Sequence, residues 1–140
     1  MLKFKIMLLF IISYFLFWVT AFPETKPIIA RDLEKKAREL YNLEIDVMVI
    51  PNSETKLQDL YIRPKPGKEY SSGDFIFSIA NTVAEVTKSS FTYKIYTGMV
   101  IIEINDELWA ISAEKCREIF KEKTIEKQSR LLQESIKWLR

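Results

Sequence analysis

The sequence predicts an α+β fold, a two-layer sandwich with a mainly antiparallel sheet and helices on one face, and three observations carry it. Leu43, Ile45, Val47 and Val49 alternate with Glu44 and Asp46, the period of a strand with one buried face. Leu33, Ala37, Leu40 and Tyr41, and later Phe75, Ile76, Ile79, Val83 and Val86, recur at helical spacing. Phe91 to Ser112 reads as three strands joined at Thr97-Gly98 and Asn105-Asp106, residues that accept the backbone of tight hairpin turns. The order is helix-β-β-helix-β-β-β-helix, and a ferredoxin-like variant with an added strand is the first topology it suggests.

At the amino end, Ile6 to Phe22 is a 17-residue run without charge, preceded by Lys3 and Lys5. A core helix of a globular domain would carry a polar stripe, so residues 1–22 read as a targeting or transmembrane helix. The two lysines hold its start in the cytoplasm and send the rest of the chain outside. Val19-Thr20-Ala21 suits signal-peptide cleavage after Ala21, whereas the length of the run, about 25 Å as a helix, suits a single membrane anchor. Either outcome places the domain outside the cytoplasm, anchored in the membrane or released as a secreted or periplasmic protein. The only cysteine is Cys116, so no cysteine follows the run as a lipoprotein anchor would require, and no intramolecular disulfide can form.

Residues 23–29 form a linker and residues 30–140 the domain. Its first helix stops at Asn42, and Pro51-Asn52-Ser53 closes the first strand. A second strand over Leu57 to Arg63 pairs with it as an antiparallel hairpin. Two prolines and a glycine make Arg63 to Lys68 a loop. Asp74 is the expected cap of the second helix, and Ser112 caps the next, with Cys116, Ile119 and Phe120 on its inner face. A last helix is expected from Thr124, with Ile125, Leu132, Ile136 and Leu139 along one side.

Composition excludes several functions. There is no histidine and one cysteine, so a Ser-His or Cys-His pair and a His/Cys zinc site cannot be built. No glycine-rich phosphate loop is present, and no cofactor or metal is expected. Removing Lys3 and Lys5 from the 21 basic residues leaves 19 against 19 acidic ones, a neutral domain without the basic excess of a nucleic-acid binder. Glu103, Asp106 and Glu107 around one turn are the one carboxylate cluster; a polar hairpin accounts for them. Lys56, Arg63, Lys65 and Lys68 form the candidate surface for anionic lipid or an acidic partner, should they converge. Exposed Tyr61 and Trp109 would extend that surface; buried, they belong to the core.

The reading that follows is a noncatalytic, exported or membrane-tethered interaction module, perceived as a component of a cell-envelope assembly, with the membrane and an envelope protein as partners. The alternative is a small secreted enzyme or ligand carrier using carboxylates and hydroxyls, which would need a deep polar pocket.

Overall fold

A computed structural model describes residues 26–140, so the apolar leader lies outside the described residues. The chain order is α1 (Ile28–Tyr41), β1 (Ile45–Pro51), β2 (Gln58–Pro64), α2 (Ser72–Lys88), α3 (Phe91–Tyr96), β3 (Thr97–Ile104), β4 (Glu107–Ser112), α4 (Ala113–Ile119), α5 (Ile125–Ser135) and β5 (Lys137–Trp138). The architecture is two-layer α+β: one five-stranded mixed sheet in the order β1-β2-β3-β4-β5, with helices packed on one face.

Local chemistry sets the boundaries. Asn42 ends α1 in the left-handed region (φ 54°), its N–H donating to Arg38 O and that of Leu43 to Ala37 O. Ser90, Ser112 and Thr124 cap α3, α4 and α5, accepting from the N–H groups of Tyr93, Lys115 and Lys127. Helix α2 begins before the expected cap: Ser71 precedes it and donates through Oγ to Asp74 Oδ2 at 2.8 Å, which places Asp74 in the first turn. Replacing Ser112 by alanine should lower stability by about 1 kcal/mol in a denaturant melt, since an α4 N–H loses its acceptor.

Register builds the core. Val47 lies opposite Ile62, Ile62 beside Ile102, and Ile102 opposite Trp109; the next row is Val49, Leu60, Val100 and Ile111. These rows face Leu33 and Ala37 of α1, Phe75, Ile79 and Val83 of α2, and Cys116 and Ile119 of α4. The other sheet face carries Met48, Tyr61, Ile101 and Glu103, all exposed or half-buried.

Three expectations are corrected. Phe91–Tyr96 is a helix, not the first strand of a meander, so Thr97-Gly98 is no turn and both residues lie within β3. With that strand absent, α2 and α3 carry the chain across to a β3 parallel to β2. The sheet also keeps the order of the sequence, whereas a ferredoxin-like sheet interleaves its strands. The last helix stops at Ser135, and the chain turns into β5, which pairs Trp138 with Trp109 and Lys137 with Ala110. The hairpin at Asn105 and Asp106, both at positive φ, is as expected.

Candidate functional site

The basic residues singled out by the sequence divide into two places. Lys56 sits in the β1–β2 turn, while Arg63, Lys65 and Lys68 lie at the other end of β2, about 20 Å away for a seven-residue strand. Arg63 stands opposite Asp46 in register. Lys65 Nζ is 3.6 Å from Glu44 Oε2, and Arg38 Nε is 3.3 Å from Glu44 Oε1. The Arg38 hydrogen bond, aided by Lys65, holds the Glu44 carboxyl below its ordinary range. The loop is therefore a mixed-charge surface, with acidic partners interleaved among its cations.

The carboxylates of the β3–β4 hairpin do not converge either. Glu103 lies near Tyr61 and 3.9 Å from Arg140 Nη2, whereas Asp106 occupies the turn itself. Burial, then the Glu103 carboxylate, raises the Tyr61 phenol above its ordinary value. Among the described residues, no three acidic or thiol side chains are grouped so as to hold a metal ion. Cys116 is fully buried, and burial pushes its thiol up to about 12, which leaves no thiolate at neutral pH. Trp109 packs half-buried against the core, with its Nε1 buried and without a hydrogen-bond partner among the described residues.

An open cleft of about 580 Å³ lies between α2, α3 and α4. Its lining alternates Glu85, Lys88, Lys94, Glu114, Arg117 and Glu118, so no charge of one sign is concentrated there. Arg117 bridges two elements, donating to Thr87 Oγ1 at 2.9 Å and to the Lys94 carbonyl at 3.4 Å.

Six exposed apolar residues lie at one end of the sheet, apart from Ile125 (69% exposed) and Trp138 (59%). Phe91 is 79% exposed, Ile28 70% and Tyr96 54%, with Ile95, Ile50 and Met99 also exposed. Strand directions place them together: Pro51 pairs with Gln58, Gln58 with Thr97, and Met99 with Ser112, so all these positions share an end. Helix α1 runs back along β1, as Glu34 Oε1 accepting from Val47 N–H shows, and so starts there too. Tyr93 Oη donates to Asp32 Oδ2 at 2.7 Å, fastening α3 to the first turns of α1.

The sequence reading missed this group because it placed Phe91, Ile95 and Tyr96 in a half-buried strand. The available signal was Ser90 as a helix cap, with Phe91 and Ile95 four residues apart.

Burial, then Asp32, pushes the Tyr93 phenol from 10.0 up to about 12. The folded state thus holds this proton longer than the unfolded chain. The resulting stabilisation is complete below pH 10 and is lost as pH rises towards 12. Tyr93→Phe should flatten that alkaline decline in melts recorded across the interval.

Comparison with protein-family models, curated proteins and solved structures finds no match.

Proposed function

We propose that this chain is a noncatalytic interaction module of the cell envelope, held at or exported across the cytoplasmic membrane by residues 1–22. The observation that carries this reading is the uncharged run from Ile6 to Phe22 behind Lys3 and Lys5. The exposed apolar end of the domain supports it, because contiguous apolar surface on a small domain marks contact with a partner or a membrane. The missing histidine and the buried, protonated Cys116 remove the commonest nucleophiles and bases, which favours binding over catalysis.

Among the described residues no helix is long and apolar enough to cross a membrane. The test is intact mass and amino-terminal sequencing of the protein from fractionated native cells. A retained Met1 with alkali-resistant membrane association identifies an anchor, and a start at Phe22 identifies cleavage and export. Recovery from the cytoplasm with the leader intact would contradict the proposal in both forms.

A further inference from the structure

We infer that the end of the domain bearing Phe91, Ile95 and Tyr96 rests on the lipid surface into which the leader inserts; this rests on the anchored form of the proposed function. Chain length supplies the first argument. Fully extended chain spans at most about 3.5 Å per residue, so the four steps from Phe22 to Lys26 reach no further than about 14 Å. Lys26 is fixed to the domain by its ion pair with Glu34, and Ile28 opens α1 at the apolar end. A leader in the bilayer therefore brings this end, and not the opposite one, to the headgroups.

Chemistry supplies the second argument. Phe91 and Ile95 stand one turn apart on α3 and project to solvent beside Tyr96. An aromatic and aliphatic face on a short helix is what inserts shallowly at the boundary between headgroups and acyl chains, and tyrosine favours that depth. Exposed Lys56 in the β1–β2 turn and Lys94 on α3 stand at the same end and suit anionic headgroups. The energetics agree, since at 79% exposure Phe91 has little to gain from its own fold and much from an apolar surface outside it. A protein partner would need no such nearness to the leader, and it is the outcome that the test must exclude.

The buried Cys116 makes the test clean, because a thiol-directed dye will mark only an introduced cysteine. The full chain carrying Phe91→Cys or Tyr96→Cys is labelled with an environment-sensitive fluorophore. It is then reconstituted into vesicles of phosphatidylcholine and phosphatidylglycerol. Ile125→Cys is the control, because α4 leads away from Ser112 and Phe120 meets Phe77 near the start of α2, where Asn105 of the distant hairpin bonds Ser72.

Dye at 91 and 96 should shift to the blue and be quenched by spin-labelled lipid about twofold more than dye at 125, as shallow insertion requires. Equal, unquenched emission at all three positions, in a chain that stays with the vesicles at alkaline pH, would overturn the lipid contact and leave the anchor standing. Loss of the chain from the vesicles at alkaline pH would overturn the anchor, and this inference with it.

Discussion

Replacing Phe75 by alanine should lower the unfolding free energy by about 3–5 kcal/mol, the range found when a buried aromatic ring leaves a cavity. Phe75 is the largest fully buried side chain in the core. It lies in the first turns of α2 and stacks on Tyr70 at 5.6 Å between ring centroids. Tyr70 in turn accepts the Glu44 N–H through its hydroxyl at 3.1 Å, so loss of the ring also loosens the start of β1. Both chemical and thermal melts should report the loss, with the midpoint moving and the denaturant slope unchanged.

Gly98→Val should cost about 2–4 kcal/mol, an overpacking penalty joined to a damaged hydrogen bond. A Cβ at position 98 would lie 2.7 Å from Asp59 Oδ1 and 3.2 Å from Leu57 Cβ. That same Oδ1 accepts the Met99 N–H at 2.9 Å, and Oδ2 accepts from Asn52 at 3.1 Å. Asp59 thus ties the β1–β2 turn to the start of β3, where the β2–β3 register shifts between Gln58 and Leu60. A hairpin turn at this glycine would owe its cost to backbone strain and would be indifferent to Asp59. Here the valine should cost at least about 1 kcal/mol less in an Asp59→Ala background, because contacting residues couple. An unchanged cost in that background would show that the close approach is not the reason for glycine.

Elements with a buried side and a solvent side were legible in the sequence. Leu43 to Val49 show their alternation, Phe75 to Val86 their helical stripe, and Asn105-Asp106 their turn chemistry, and each is found in place. Phe91 to Tyr96 misled because its aromatic and β-branched residues favour strands, and burial normally decides such cases. No residue of α3 is fully buried, so pattern had nothing to report; the Ser90 cap and the Tyr93 contact with Asp32 settle the helix instead.

The carboxy terminus misled for a related reason. Ile136 continues the apolar side of α5, yet it serves β5, where Leu108 bonds the backbone of Leu139 and Arg140. Of the candidate surface, the letters showed four basic residues but not their acidic partners Asp46 and Glu44, which only the hairpin register brings alongside.

The side of the membrane on which the domain stands is the central claim, and an exposed cysteine reads it directly. Leu40 is 46% exposed near the end of α1, away from the apolar surface, and native Cys116 is silent when folded. Leu40→Cys in the full chain would be treated with a membrane-impermeant maleimide on cells whose cytoplasmic membrane is intact and whose outer layers are opened. Labelling before lysis is the predicted result, from an anchored chain in the membrane fraction or an exported one in the released fraction. Labelling only after the cytoplasmic membrane is broken would contradict it.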